Sequence, residues 1–195
     1  MSKLAAENEF LDLSDYGRPI AKLLANWLKN TWLTPIHVTL VFGFCGLIAI
    51  YCIFLNHYIL ASFFIILKSI IDAVDGELAR VKNTPSYVGR YLDSVFDITL
   101  NFLFFMTICY VSKTSFWMSL LAFFCIQLQG TLYNYYYVIL RNKSIGGDKT
   151  SKVFEDKSPK AFPGETQKWV NIWFGIYTIV YGIFDKIIHV LDSDA

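Results

Sequence analysis

Long apolar stretches alternate with short polar segments along most of the chain. Five stretches stand out: Pro35 to Leu55, Tyr58 to Ile71, Tyr91 to Val111, Ser115 to Leu140 and Trp169 to Ile188. A transmembrane helix needs about 20 apolar residues, and every stretch except the second reaches that length. The pattern predicts an all-α fold, a polytopic transmembrane helix bundle with five spans.

Before the first span, residues 14–29 follow a different pattern. Their apolar side chains recur at helical spacing and define one face, which consists of Ile20, Leu23, Leu24, Trp27 and Leu28. A helix with one apolar face that also carries lysines is typical of the membrane surface. We therefore expect an N-terminal amphipathic surface helix. Because the start of the chain is acidic and polar, we expect no cleavable signal peptide.

Composition and charge narrow the class of protein. Hydrophobic residues make up 55% of the chain, which is high for a soluble domain, and the formal net charge is +1. This near-neutral balance predicts no general attraction to nucleic acid. Lysines and arginines concentrate in residues 80–90 and 141–168. Because such residues stay on the cytoplasmic side of a membrane, we expect the N-terminus and both basic loops there.

Four aspartates lie where the second stretch ends and where the third begins. Asp72 and Asp75 are three residues apart, and Asp93 and Asp97 are four residues apart. Each pair therefore shares one face of its helix. Helix rise places Asp72 and Asp97 each about 9 Å inside the cytoplasmic interface. If the two segments pack as antiparallel neighbours, all four carboxylates converge.

Acids in this position need a compensating charge. Like charges repel each other strongly away from bulk water, and carboxylate oxygens suit Mg²⁺, Mn²⁺ or Ca²⁺. Four carboxylates are enough to hold two ions, an arrangement used in phosphoryl chemistry. Two alternatives stay open: solvated acids in an aqueous vestibule, or acids paired with Lys68, Arg80 and Arg90. Lys68, four residues before Asp72, is placed either to pair with a carboxylate or to contact a lipid phosphate.

Small residues complete a longer pattern around the aspartates. It reads D-x-x-D-G-x-x-A-R, then eight residues, then G-x-x-x-D-x-x-x-D, and its defined positions are Asp72, Asp75, Gly76, Ala79, Arg80, Gly89, Asp93 and Asp97. This pattern resembles the signature of the CDP-alcohol phosphotransferase (CDP-alcohol phosphatidyltransferase) family of integral membrane enzymes. Two departures concern other regions. Related enzymes often begin the first span with Thr-Pro-Asn-x-x-Thr, where this chain has Ile36 and then His37, so His37 is a candidate to replace the asparagine. Family members usually have six spans, one more than we expect here.

The resemblance implies roles for the motif residues. The positions that resemble metal ligands are Asp72, Asp75, Asp93 and Asp97. Asp97 also resembles the catalytic general base. The positions that resemble contacts of the CDP moiety are Gly76, Ala79, Arg80 and Gly89. The resemblance further implies Mg²⁺ or Mn²⁺ as cofactor, two ions in number, and a homodimer.

The implied reaction transfers a phosphatidyl group from CDP-diacylglycerol to a small polar alcohol and releases CMP. Candidates for the acceptor site are Lys68, Arg90, Tyr133, Tyr137 and Arg141. The same motif occurs in CDP-choline and CDP-ethanolamine phosphotransferases, which use a lipid acceptor, so this alternative stays open. A divalent-metal transporter is the alternative from another class, but acids near one face only disfavour a path across the bilayer.

We thus expect two parts of the chain. Residues 1–33 form a cytoplasmic N-terminus with the juxtamembrane helix. Residues 34–195 form a transmembrane catalytic domain whose active site faces the cytoplasm.

Overall fold

The structure is a computed structural model that describes residues 16–143 and 155–192. All regular structure within these ranges is helical, in seven helices: α1 (Arg18–Leu28), α2 (Pro35–Phe54), α3 (Tyr58–Lys82), α4 (Tyr87–Ser112), α5 (Phe116–Lys143), α6 (Gln167–Val180) and α7 (Gly182–Leu191). The predicted all-α, polytopic helix bundle is confirmed. Residues 1–15 of the expected cytoplasmic N-terminus, and the part of the second basic loop at 144–154, lie outside the described residues.

The surface helix α1 packs against α3. Ala21 and Ala25 are fully buried there, beside Val74 and Leu78 of α3. Small side chains let the two helices approach closely. The predicted apolar face is split by this contact: Leu24 and Leu28 pack on the α3 side, whereas Ile20, Leu23 and Trp27 are exposed. An exposed apolar stripe of this kind is suited to the membrane interface.

Helix α2 is the common platform of the bundle, because it packs against both α3 and α4. Two glycines permit the close approach to α4. A Cβ atom at Gly43 would lie 2.6 Å from the Phe96 ring, and one at Gly46 would lie 2.6 Å from a Leu100 methyl group. Such distances are shorter than real contacts allow, so a larger residue at either position would force the Phe96 ring or the Leu100 side chain to shift.

Helix α3 is longer than its apolar run, because the helix continues through the aspartates. Its 25 residues correspond to about 37 Å of helix. Asn83 ends it in the left-handed conformation, with φ of 51°, and the amide of Thr84 donates to the carbonyl of Ala79. Along their lengths α3 and α4 each pack more closely on α2 than on each other. The two helices nevertheless meet through charged side chains, as expected of antiparallel neighbours: Lys68 of α3 pairs with Asp97 of α4, and carboxylates of both helices converge.

Not all of the five expected spans meet the length and composition of a membrane-crossing helix. Within the described residues, α2, α4 and α5 are long and apolar enough to cross a membrane, and α6 with α7 makes a fourth if the pair counts as one span. Helix α3 falls outside this group because every stretch of spanning length within it contains Lys68, Asp72 and Asp75. Five spans therefore stay a prediction.

The last apolar stretch is a bent pair of helices rather than one straight helix. α6 and α7 meet at an angle of 63°. The bend follows Tyr181, where the chain reaches Gly182, and glycine is a poor helix former. A hydrogen bond of 2.5 Å from the Tyr177 hydroxyl to Asp185 links the two helices across the bend.

Candidate active site

Asp72, Asp75 and Asp93 form a three-carboxylate group between α3 and α4. One oxygen atom from each carboxylate lies within 4.8 Å of the other two. Asp75 is buried, and Oδ1 of Asp93 is buried without a hydrogen bond from any described residue. A buried carboxylate oxygen needs a partner, and three converging carboxylates are a donor set that Mg²⁺ or Mn²⁺ accepts. The residues therefore fit the divalent metal that the sequence motif implies.

A threonine from α2 fixes one of the three carboxylates. The Thr39 hydroxyl donates to Asp75 Oδ2 at 2.8 Å, and Thr39 is itself buried. Such a bond orients the carboxylate toward the centre of the group. Thr39 is the last threonine of the Thr-Pro-Asn-x-x-Thr pattern, a position for which the sequence predicted no role.

His37 does not contact the carboxylates and serves the start of α2 instead. Its Nδ1 atom lies 2.6 Å from the Thr34 hydroxyl and accepts the Thr34 amide at 3.1 Å. The Thr34 side chain in turn accepts from the His37 amide, which completes a capping box. His37 was a candidate to replace the motif's asparagine. In the structure its side chain is engaged at the N-terminal cap of α2.

Asp97, the fourth aspartate, lies outside the three-carboxylate group. Its Oδ1 atom is 2.7 Å from Nζ of Lys68, which α3 supplies one turn before Asp72. The Lys68 side chain is only 14% exposed and that of Asp97 is 37% exposed. Nζ also lies 4.7 Å from the centre of the Phe42 ring. Of the two roles left open for Lys68, the structure shows the pairing with a carboxylate.

The small residues of the motif have different surroundings. A Cβ atom at Gly76 would meet only the Arg80 guanidinium, at 3.7 Å, so the space beside the three-carboxylate group is open there. Ala79 is half-buried on the same helix. At Gly89 a Cβ atom would crowd the Ser86 hydroxyl at 3.2 Å, and the Gly89 amide donates to that hydroxyl at 2.8 Å. Gly89 therefore serves the start of α4.

Arg80 pairs with an acid that sequence reasoning missed. Its Nη2 atom lies 2.9 Å from Oε1 of Glu77, whose side chain is only 3% exposed. The spacing of three residues on one helix is a signal that was available in the sequence. The pair holds the guanidinium over Gly76, at the edge of the open space.

Residues 32–185 match the family described as CDP-alcohol phosphatidyltransferase. The chain belongs to this family. Its apolar helices and its family identify it as a membrane protein, and the family uses divalent metals. A curated relative is the archaetidylinositol phosphate synthase of Pyrococcus horikoshii, which is 34% identical over 70 residues. This match covers 36% of the chain and 37% of the relative, so the chain spans little more than a third of that protein's length.

The segment between residues 155 and 166, just before α6, packs against the first turns of α4. Glu155 accepts two hydrogen bonds from Nη2 of Arg90, at 2.6 and 2.7 Å, and one of 2.7 Å from the Tyr91 hydroxyl. The Arg90 guanidinium also lies over the rings of Tyr87 and Tyr91. Arg90, a candidate for the acceptor site, is therefore tied to a carboxylate of the protein itself.

Glu165 of the same segment caps α4. It accepts from the Ser86 hydroxyl at 2.7 Å and from the amides of Tyr87 and Val88 at 3.1 and 2.9 Å. These are donors at the first turn of the helix, which otherwise have no partner within it. The Phe162 ring stacks on Tyr87 with centres 4.4 Å apart. Two glutamates and one aromatic contact thus hold this segment against the helix that carries Asp93.

The remaining acceptor candidates lie on the last turns of α5. The rings of Tyr133 and Tyr137 stack with centres 5.9 Å apart, and Arg141 is buried. The three residues share one face, as the four-residue spacing predicts. Their role toward an acceptor stays a prediction.

Proposed function

We propose that this membrane enzyme transfers the phosphatidyl group of CDP-diacylglycerol to a small polar alcohol and releases CMP. The observation that carries the proposal is the three-carboxylate group of Asp72, Asp75 and Asp93, with Asp97 beside it, in a chain that belongs to the CDP-alcohol phosphatidyltransferase family. The acids and the family together favour this transferase over a divalent-metal transporter.

In the proposed site, each group has a separate task. Asp72, Asp75 and Asp93 hold Mg²⁺ or Mn²⁺, which when bound neutralises the donor diphosphate and the departing CMP. Asp97, more exposed than Lys68, accepts the proton of the incoming hydroxyl group. The hydroxyl oxygen forms a bond to the phosphorus atom that carries the lipid, and the bond from that phosphorus to CMP breaks.

The space beside Gly76 is our proposed place for the CDP moiety. A Cβ atom there would meet only the Arg80 guanidinium. Because Glu77 already neutralises Arg80, we propose that Arg80 acts mainly through position and hydrogen bonding. Ala79 is the neighbouring small residue on the same helix, one turn after Asp75.

Orientation in the membrane is part of the proposal. Arg80, Lys82 and Arg90 flank the turn between α3 and α4, and Arg141 and Lys143 end α5. Basic residues remain on the cytoplasmic side, so we place the active site facing the cytoplasm. There it meets soluble acceptors, while the lipid tails of the donor stay in the bilayer. The family resemblance also supports a homodimer, which cross-linking in native membranes would test.

The test is CMP release by the purified full chain with Mg²⁺ and CDP-diacylglycerol across a panel of acceptors. The panel contains serine, glycerol 3-phosphate and an inositol phosphate, the last because of the name of the Pyrococcus relative. CDP-ethanolamine with diacylglycerol, in parallel, examines the related phosphotransferases that use a lipid acceptor. Turnover of CDP-diacylglycerol is the expected result, and no turnover of any CDP-linked donor contradicts the proposal.

A further inference from the structure

Lys68 is a cation inside the carboxylate site, although it stands outside the sequence motif. It lies four residues before Asp72, and its ammonium group is 2.7 Å from Asp97. Its charge also interacts with those of Asp72 and Asp93. A lysine within a largely apolar helix is costly unless it is paired, so the carboxylates are the reason that it is tolerated.

A second divalent ion would need the carboxylate that Lys68 contacts. Asp72, Asp75 and Asp93 already face one common centre, with their oxygen atoms within 4.8 Å. Among the described residues, the further carboxylate placed beside this group is Asp97, whose Oδ1 atom binds the ammonium group. A divalent cation next to that ammonium group would be repelled by it, and the repulsion is only weakly screened in a partly buried site.

We propose that Lys68 takes the place of a second metal ion. In the substrate-free protein a single divalent ion binds the three-carboxylate group, and the Lys68 ammonium group neutralises Asp97. The inference rests on the proposed function, because it takes Asp72, Asp75 and Asp93 as ligands. It differs from the two ions that the family resemblance implies. Asp97 would then not coordinate the metal ion, although it lies beside the three-carboxylate group.

The experiment counts the ions directly, with Mn²⁺ as the probe. The full chain is purified in detergent, stripped with chelator and titrated with Mn²⁺, and bound ions are followed by equilibrium dialysis and electron paramagnetic resonance. We expect one Mn²⁺ per chain with the six-line spectrum of an isolated ion. Two ions per chain with a spin-coupled spectrum would overturn the inference and leave the proposed function standing. No bound ion would overturn the proposed metal centre, and the inference with it.

Variants locate the effect at Lys68. Lys68→Met removes the charge and keeps an unbranched apolar side chain, so we expect it to bind a second Mn²⁺ and to give a coupled spectrum. The double variant Lys68→Met, Asp97→Asn should return to one ion, because the ligand for the second ion is gone. A Lys68→Met protein that still binds one ion contradicts the inference.

Two further variants serve as controls for the effect of the Lys68 charge. Lys68→Arg keeps the positive charge and should bind one ion, which provides a test even if Lys68→Met fails to fold. Lys186→Met is the matched control, because Lys186 is an exposed lysine on α7. It should bind one ion as the unaltered chain does, and a second ion there would show that loss of any lysine has this effect.

Discussion

The Thr39 hydroxyl donates a hydrogen bond of 2.8 Å to Oδ2 of the buried Asp75. The donor comes from α2 and the acceptor from α3, so this bond joins the platform helix to the proposed metal ligands. Thr39→Val keeps the shape of the side chain and removes the donor. Loss of a bond that orients a metal ligand typically costs about 10- to 100-fold, and we expect that loss in Mn²⁺ affinity and in CMP release.

Thr178→Val is the matched control for this substitution. Thr178 donates to the carbonyl of Phe174 within its own helix, as Thr39 does to that of Pro35 (3.1 Å), but it is exposed. Equal affinities for Mn²⁺ in the Thr39→Val protein and in the control would remove Thr39 from the site.

Asp93→Asn is expected to abolish activity while the protein remains folded. The substitution removes the charge of a ligand whose Oδ1 atom is buried without a hydrogen bond from any described residue. A direct ligand should matter more than an orienting residue, so the expected loss of CMP release exceeds about 100-fold. Without divalent ions the variant should unfold at a temperature no lower than that of the unaltered chain, because one buried like charge is gone. A rate of CMP release within tenfold of normal would contradict the assignment, and Asp156→Asn, at an exposed acid, is the control.

Gly76→Leu is expected to separate nucleotide binding from folding. A Cβ atom at this position meets only the Arg80 guanidinium, so the first atom of a larger side chain has room there and we expect the protein to fold. Replacing glycine within a helix also favours the helix by about 0.5–1 kcal/mol. We therefore expect an unchanged or higher melting temperature together with a rise of at least about tenfold in the KM for the CDP-linked donor, where one tenfold step is about 1.4 kcal/mol.

Gly130→Leu supplies the comparison for this prediction. A Cβ atom there would have nothing within 4 Å, and the position is on α5. It should gain similar stability and keep its KM. A Gly76→Leu protein with an ordinary KM would mean that the donor binds elsewhere.

Glu165→Ala is expected to destabilise the start of α4. The carboxylate accepts bonds from the Ser86 hydroxyl and from the amides of Tyr87 and Val88. Donors left without a partner cost about 1–3 kcal/mol, and a carboxylate at a helix N-terminus also interacts favourably with the helix dipole. The melting temperature of the detergent-solubilised protein measures the effect, with Asp156→Ala as the exposed control. Equal melting temperatures would show that the bonds of Glu165 add no stability.

The predictable parts of this protein are those that local spacing determines. Apolar runs predicted the positions of α1, α2, α4 and α5 to within a few residues, but they missed the end of α3 and the bend between α6 and α7. The spacing of Asp72, Asp75 and Asp93 predicted their convergence. The left-handed Asn83 was recognisable as a turn residue. The three-residue spacing of Glu77 and Arg80 on one helix also indicated their ion pair, which sequence reasoning overlooked.

Other features depend on partners that are distant in the chain. Glu155 is 65 residues from Arg90, and Glu165 is 79 residues from Ser86. No periodicity connects such positions, so a hydrophilic loop was all that the sequence predicted there. The choice of Lys68 between a carboxylate and a lipid phosphate was equally open, because it depends on how far apart α3 and α4 stand. Roles of the motif residues toward substrate stay predictions.

Helix α2 contributes no carboxylate, yet it sets the width of the site. Gly43 and Gly46 let α4 lie against one side of it while α3 packs on another. We expect a larger residue at either position to push against the Phe96 or Leu100 side chain, to move α4 outward and to carry Asp93 away from Asp72 and Asp75. The distance from a metal ion to its ligand oxygen atoms is fixed by the radius of the ion. The spacing of the three carboxylates can therefore change only slightly before an ion no longer fits. Gly43 and Gly46 therefore help to set the distance between the carboxylates, although neither takes part in the chemistry. We expect changes at these positions of α2 to alter metal selectivity before they alter folding.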